Sequence, residues 1–528
     1  MSAVAARSAA APGVHPLFVA LTVGLAAFME VLDISIANVA LEHIAGSLAA
    51  TPDEATWVLT SYLVTNAIVL PMSGWLSARI GRKRYFLGCI IGFSITSLGC
   101  GVAPSLGLLI LARALQGALG GGLQPNAQAI LTDTFAPEKR GQAFAAYGIA
   151  VVFAPAIGPT LGGWITDNFS WRWVFLLNVP VGVFLSLLAT RVLVDPPEQT
   201  ARRQTQRAAR VDYLGFFLLV LGMCALQVML DRGQEDDWFA STFISVLGAT
   251  AAAALVTFVV WEIRQPDPVV DLRLLTMRNF GIGNLMMFML GFILLGSTVL
   301  LPLFVQTVLG YTAMDAGLVI SPGGFAIMIL MPIVGIMVTK VDPRWLIAIG
   351  LVTTSLALLH MMRFDLDIDF ATVAWARTYQ SLGLAFLFIP INTVAYLGVP
   401  PDKSDNASSI INMMRNLGGS VGIALVTTFL ARREQFHQDV LVTHVTPWSS
   451  AYGATIRTME APFLAIGQST ADALQHAQAM LYASVQSQAM MLSFIDCFGA
   501  LGALFLVLVP LAFLMKRPTV VPTHISSQ

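Results

Sequence analysis

Two acids sit where acids are expensive. Glu30 and Asp33 lie near the end of the apolar run that opens at Leu17, and no charge falls between Leu17 and Met29. Three residues apart, they share one face of a helix. A carboxylate at mid-bilayer depth costs roughly 2.5–3.5 kcal/mol on insertion scales, so an acid kept there points to a proton or ion pathway. The chemistry on offer is reversible proton uptake, with Asp33 the expected carrier, alone or sharing its proton with Glu30 as a coupled pair. Arg113 stands inside another apolar run, in Leu111-Ala-Arg113-Ala-Leu-Gln116-Gly117 followed by Gly120-Gly121-Gly122. An embedded Arg needs an acid, backbone carbonyls or water. If it bonds only to carbonyls it is structural. If it meets an acid of the first run, it favours the ionised form while burial favours the neutral one. Moving such a partner would then switch the proton on and off.

The elements that must position these groups are membrane helices. The chain has 528 residues, 56% hydrophobic and only 11% charged, with mean hydropathy +0.75. Soluble domains carry about 25% charged residues, so this composition implies a polytopic membrane protein. The net charge of −1 argues against a nucleic-acid partner. Cys89, Cys100, Cys224 and Cys497 lie in apolar runs without C-x-x-C spacing and read as buried hydrophobes, neither disulfides nor metal ligands. Hydrolase and nucleotide-binding motifs are absent, so neither an enzyme nor ATP-driven transport is expected, and no cofactor is implied.

Runs long enough to cross about 30 Å fall at 17–41, 55–76, 85–103, 106–130, 141–166, 172–194, 212–231, 240–263, 280–309, 315–338, 344–362, 371–398, 408–430 and 493–515. Fourteen spans are therefore expected. Lys and Arg concentrate in alternate loops, among them Arg79, Arg82, Lys83, Arg84, Lys139, Arg140, Lys403, Lys516 and Arg517. By the positive-inside rule both termini are cytoplasmic. Ala112-Arg113-x-x-Gln116 recurs as Ala376-Arg377-x-x-Gln380, and Pro137-Glu138-Lys139 as Pro401-Asp402-Lys403, both at an offset of 264 residues. Pro71-x-x-Gly74 recurs as Pro332-x-x-Gly335 at 261. The expected plan follows: a tail 1–16, a six-helix half 17–194, a basic linker with two inserted helices 195–263, a second half 264–515, and a tail 516–528. Two homologous halves with a site at their midplane interface are the plan of a secondary transporter. The outer segment 431–492 is the only sizeable soluble piece. It either folds over its own transporter or offers a docking surface. Its part Ser469–Met491, rich in Ala and Gln, reads as a helix leading into the last span.

Three motifs narrow the reading. Gly74-Trp-Leu-Ser-Ala-Arg79-Ile-Gly81-Arg82-Lys83-Arg84 resembles the loop signature of the major facilitator superfamily, G-x-L-A-D-R-x-G-R-K. Ala78 stands where the family has the Asp that helps latch the outward-open state, although the arginines remain. The resemblance makes Gly74, Arg79, Gly81, Arg82 and Lys83 a cytoplasmic gate. The run Ala154-Pro155-Ala-Ile-Gly158-Pro159-Thr-Leu-Gly162-Gly163 is similar to the antiporter signature G-P-x-x-G-G of exporters that exchange substrate for protons. Pro155, Gly158, Pro159, Gly162 and Gly163 would there make a close, bendable helix contact. Leu32-Asp33, Asn38-Val-Ala-Leu41, Trp171-Arg172-Trp173 with Asn178-Val-Pro180, and Leu230-Asp231-Arg232-Gly233 resemble the fourteen-span drug–proton antiporters of the EmrB type. That branch often has Gln at position 30 and Pro at 42, where this chain has Glu30 and Glu42.

The resemblance implies a fourteen-helix bacterial inner-membrane exporter of lipophilic compounds, driven by protons. It also implies a periplasmic adaptor of the EmrA type and an outer-membrane channel of the TolC type. Polar residues expected to meet substrate are Asn38, Gln116, Gln124, Arg377, Asn412, Arg415 and Asn416, although those of the second half could equally tie helices together. An uptake symporter, or an exporter of one lipid or metabolite, would share most of these features.

Overall fold

A computed structural model describes residues 14–136, 139–195, 212–266, 268–446 and 448–516. Most of the basic linker, the extreme tails and Pro137-Glu138 lie outside the described residues. Within them the chain is all helix, without a sheet.

In chain order the helices are α1 (Pro16–Val39), α2 (Leu41–Ser47), α3 (Pro52–Ile80), α4 (Arg82–Val102), α5 (Leu106–Gly120), α6 (Leu123–Thr134), α7 (Arg140–Asn168), α8 (Arg172–Leu176) and α9 (Asn178–Val192). They continue as α10 (Tyr213–Arg232), α11 (Thr242–Arg264), α12 (Arg278–Thr307), α13 (Ala313–Met337), α14 (Pro343–Met361), α15 (Phe370–Ala395), α16 (Ser404–His444), α17 (Ser450–Ala465) and α18 (Thr470–Leu514). Local chemistry sets their starts. Thr51 with Glu54 and Thr312 with Asp315 form reciprocal capping boxes before α3 and α13. Asp212 and Ser469 cap α10 and α18. Gly81, at φ 104°, makes the tight reversal between α3 and α4 that a residue with a Cβ would resist.

Among the described residues eleven helices are long and apolar enough to cross a membrane, or twelve if the two parts of α7 form one span. In that tally α5 with α6 and α8 with α9 each make one crossing. The remaining long helices, α15 and α16, are diluted by Arg377, Gln380, Asn392, Asn412 and Arg415. The sequence count of fourteen therefore rests partly on helices that are not plainly apolar. α16 and α18 have 41 and 45 residues, twice what a bilayer needs. Their ends project beyond it, with α17 between them.

The packing repeats. α1 lies along α7, and α12 lies along α16. Glycine makes both contacts close. A Cβ at Gly162 would fall 3.1 Å from Ile36 Cγ2, and one at Gly158 would fall 2.5 Å from Ser35 Cβ. Gly418 and Gly422 meet the backbone of Phe288 and Phe292 in the same way. Between these pairs α7 packs on α13, where Gly141 faces Gly335, and α16 packs on α3 and α6. α7 bends by 46° between Arg140–Pro155 and Ile157–Asn168, next to Pro155. α10 packs on α11, α3 and α16.

Gly163 has nothing within 4 Å of an added Cβ, although it belongs to the same run as Gly158. A paired test follows. Gly158→Leu is expected to push α1 from α7 and cost about 1–3 kcal/mol, seen as a lower thermal midpoint and lost transport. Gly163→Leu is expected to leave the midpoint near wild type. Equal effects at both positions would remove the packing explanation.

Candidate functional site

A fully buried arginine and a fully buried acid are together. Arg113 is 0% and Asp33 1% exposed. Arg113 Nη1 donates to Asp33 Oδ2 at 2.6 Å. The other carboxylate oxygen, Oδ1, accepts from Gln116 Nε2 at 3.1 Å and from Asn178 Nδ2 at 2.6 Å. Asn178 also donates to Ser97 Oγ at 3.0 Å. Arg113 Nε donates to Val58 O at 3.1 Å, and its Nη1 is shared with Gln116 Oε1 at 2.8 Å. The guanidinium lies 4.3 Å from the Tyr62 ring centroid and 5.4 Å from that of Phe175. One carboxylate on α1 is thus held by donors on α5 and α9, and those donors are oriented from α3 and α4.

Glycines bring these helices close enough to do it. Gly117 lies against Tyr62 O, and a Cβ at Gly122 would fall 2.7 Å from Cys89 Sγ. The break at Gly120–Gly122 therefore lets α5 and α6 lie tight on α3 and α4. Arg113 bonds both an acid and a backbone carbonyl.

Glu30 is in different company. Its Oε1 accepts from Asn66 Nδ2 at 3.1 Å, and its buried Oε2 has no partner. Its further polar neighbours are Gln124 and Arg415. Arg415 Nη2 donates to Gln124 Oε1, which also accepts from Tyr147 OH at 3.3 Å. Nearby, Gln128 and Asn412 exchange hydrogen bonds of 3.4 and 3.0 Å. This second cluster joins α1, α3, α6 and α7 to α16, whereas the Asp33 network stays within α1 to α9.

At the end of the bundle where the basic loops gather, Arg82 is 3% exposed yet fully engaged. Nε and Nη2 donate to the two carboxylate oxygens of Asp405 at 2.9 and 2.8 Å, and Nη1 donates to Asp133 at 2.5 Å. Ser73 and Ser409 share a hydrogen bond of 2.8 Å, and a Cβ at Gly74 would fall 2.8 Å from Asp405 O. Arg79 stacks on Trp75 at 5.1 Å. Lys83 instead holds the end of α9, through Nζ to Thr190 O and its amide to Asp195, each at 2.8 Å.

At the opposite end the Asp231-Arg232 turn ties α3 to α16. Asp231 accepts from Thr60, Arg232 lies 5.6 Å from the Trp57 ring, and Trp238 Nε1 donates to Thr428 Oγ1 at 2.8 Å. Beyond it, Asp496 Oδ2 accepts from Arg433 Nε at 2.6 Å and meets His437 Nε2 at 2.7 Å, joining the long helices α16 and α18.

Asp33, Arg113 and Gln116 thus come together, as do Glu30, Gln124 and Arg415. Asn38 is exposed at the end of α1, apart from both clusters, and Asn416 is half-buried. Pro155 supplies a carbonyl 3.5 Å from Ser35 Oγ. Asn178, Ser97, Asn66, Gln128, Asp133 and Asp405 join these sites without having been chosen from sequence. Asn178 lies in the stretch Trp171–Pro180, and that position is its signal in the sequence. Asp405 had none, because an acid in a helix's first turn is ordinary.

The model of the Major Facilitator Superfamily matches residues 23–423. The multidrug export protein EmrB of Escherichia coli is 37% identical over 507 residues, 96% of each chain. EmrB of Haemophilus influenzae is 40% identical over 434 residues, 82% of this chain and 84% of that one. The solved structure of the human organic anion transporter MFSD10 superposes with a TM-score of 0.58 over 94% of this chain and all of that one, at 13% identity, which speaks for the fold alone. With an all-helical bundle, a buried acid–arginine network and a family match across most of its length, this chain belongs to the major facilitator superfamily of membrane transporters.

Proposed function

We propose that the chain exports lipophilic drugs and toxic compounds across the bacterial inner membrane in exchange for protons. The observation that carries this reading is the Asp33 network. Its three donors to the carboxylate come from helices other than its own. Movement of α5 or α9 relative to α1 breaks these bonds, so the surroundings of the carboxylate change with helix position, which is what coupling requires. The named function of the EmrB relatives supports drugs as the cargo.

In this mechanism Asp33 takes a proton from the periplasm in the outward-facing phase, when substrate leaves. Reorientation carries the proton inward, and contact with Arg113 or arrival of substrate releases it. The halves 17–194 and 264–515 rock about the α7–α13 contact, with both termini in the cytoplasm. The Arg82–Asp405–Asp133 cluster closes the cytoplasmic end, and the cross-bundle cluster of Glu30, Gln124, Arg415, Gln128 and Asn412 borders the substrate path. Substrates enter from the lipid leaflet or the cytoplasm. The projecting ends of α16 and α18, with α17, would meet an EmrA-type adaptor, leading to a TolC-type channel.

The test uses inverted vesicles energised to an acid interior. A lipophilic drug is expected to collapse part of the pH gradient, read by an acridine dye, only when the protein is present. A gradient that stays unchanged across a panel of lipophilic drugs would refute drug–proton exchange.

A further inference from the structure

The two arginines related by the internal repeat are equipped differently. In the first copy, Arg113 Nη1 bonds Gln116 Oε1 at 2.8 Å. Arg113 Nη1 and Gln116 Nε2 then also hold Asp33, while Arg113 Nε holds Val58 O. In the second copy, Arg377 Nη1 bonds Gln380 Oε1 at 2.6 Å in the same manner. There the likeness stops. Arg377 Nε and Gln380 Nε2 are both buried and have no partner, with Arg377 5% and Gln380 1% exposed. Arg113 also keeps one bare nitrogen, Nη2, but it has an acid beside it. Gln380 Nε2, the counterpart of the Gln116 donor to Asp33, is open, and among the described residues Arg377 has no acid.

No acid nearby fills the gap. α12, α14 and α15 contain no Asp or Glu. In α13 the single acid is Asp315, committed to its capping box with Thr312. In α7 the acid is Asp167, at its far end beside His43. Asp369, which precedes α15, is bonded to Thr372, and lies eight residues from Arg377, about 12 Å along a helix. Among the described residues Arg377 has no ion-pair partner. It does not reach toward water past the nearby start of α15 either, as embedded cations commonly do. Its guanidinium bonds Gln380, which lies one turn deeper. Gly323 of α13 packs closely beside the pair, since an added Cβ there would collide with Ser381 Oγ and sit 3.4 Å from Arg377 Cγ.

We infer that Arg377 and Gln380 form an anion-binding site within the second half, which takes a monovalent anion, a halide or a carboxylate, as the counter-ion that Asp33 provides to Arg113. The guanidinium supplies charge and the Gln380 amide a directed N–H. Ligand exchange follows helix movement, because the site is closed by α13 and α15. The site stands on its own geometry and does not depend on which compounds the transporter exports.

The test uses the purified full chain in nanodiscs. Thermal midpoints are measured in sodium sulfate at constant ionic strength, with sodium chloride or sodium octanoate titrated in. The wild type is expected to gain stability saturably. Gln380→Glu places a carboxylate against Arg377 within the chain, so it is expected to fold, to match the anion-saturated wild type, and to lose anion affinity by about thirtyfold or more. Arg377→Gln is expected to lose the response as well. Saturation by chloride that octanoate does not compete with identifies an inorganic ion, and competition identifies a carboxylate ligand. Either is the site proposed. A wild-type midpoint indifferent to the anion, or a response retained in both variants, overturns it. Because no readout involves drug or proton flux, failure of the exporter reading would leave these results unchanged.

Discussion

Asp33→Asn is expected to abolish substrate-driven proton release from proteoliposomes, down to the level of liposomes without protein. Asparagine matches the shape of the carboxylate and can still accept one bond from Arg113, but it cannot take up a proton. It also cannot accept on both sides. Either Arg113 or the pair Gln116 and Asn178 must then face an amide N–H where an acceptor stood. Arg113 is left as an uncompensated buried cation, a defect worth about 3–5 kcal/mol. A lower thermal midpoint should therefore accompany the loss of coupling. Glu30→Gln separates the two acids. It keeps the bond from Asn66 and removes only a carboxylate that already has one bare oxygen. Coupling should survive there, with altered substrate preference. If Asp33→Asn still couples and Glu30→Gln does not, the carrier is Glu30 and the Asp33 network is structural. If the wild type itself moves no protons with any lipophilic drug, the exchange mechanism is wrong.

The second large effect is expected at Arg82. Arg82→Ala leaves Asp133 and Asp405 facing each other without the cation that both now bond. Breaking such a buried cluster from one side costs about 3–5 kcal/mol. At about 1.4 kcal/mol per decade, the balance between the closed and open basic end moves by roughly two to four orders of magnitude. A cysteine at Ser409 reports this directly. Ser409 is 1% exposed and hydrogen-bonded to Ser73 across the contact, while Cys89, Cys100 and Cys497 are buried. With Cys224 replaced, Ser409→Cys should react slowly with a membrane-impermeant maleimide, and much faster once Arg82→Ala is added. Asp405→Asn should have a smaller effect, since Arg82 keeps Asp133 and one acceptor at position 405. Unchanged labelling in Arg82→Ala would show that the α3–α16 contact is held by packing alone.

The Arg82 cluster also bears on the loop motif. Ala78 leaves the loop without its family acid. In the folded chain an acid arrives from the other end of the sequence, at Asp405, 323 residues from Arg82. Its contact with Arg82 crosses from α4 to α16, so it can report on the relative position of the two helices.

The sequence by itself determined that this is a helical membrane transporter, and which residues were worth watching. Hydrophobic length is a local property, and a bilayer leaves helices as the solution for long apolar runs because every backbone group must be satisfied within its own segment. The cost of an embedded charge is local too, so Glu30, Asp33, Arg113, Arg377 and Arg415 stood out without any knowledge of their neighbours. Glycine spacing announced close contacts, and Gly158 and Gly162 make theirs, whereas Gly163 has none.

Tertiary structure decided the pairings. Glu30 and Asp33 share a helix face in sequence, yet one bonds toward Asn66 and the other toward Arg113, Gln116 and Asn178. Two residues three apart on a helix still point about 60° away from each other, and that angle sends them to different neighbours. Asn178, Asp405 and the unfilled donors of Arg377 became legible only when rotation and depth of each helix were fixed. Those are set by packing among many helices at once, which no single stretch of sequence encodes.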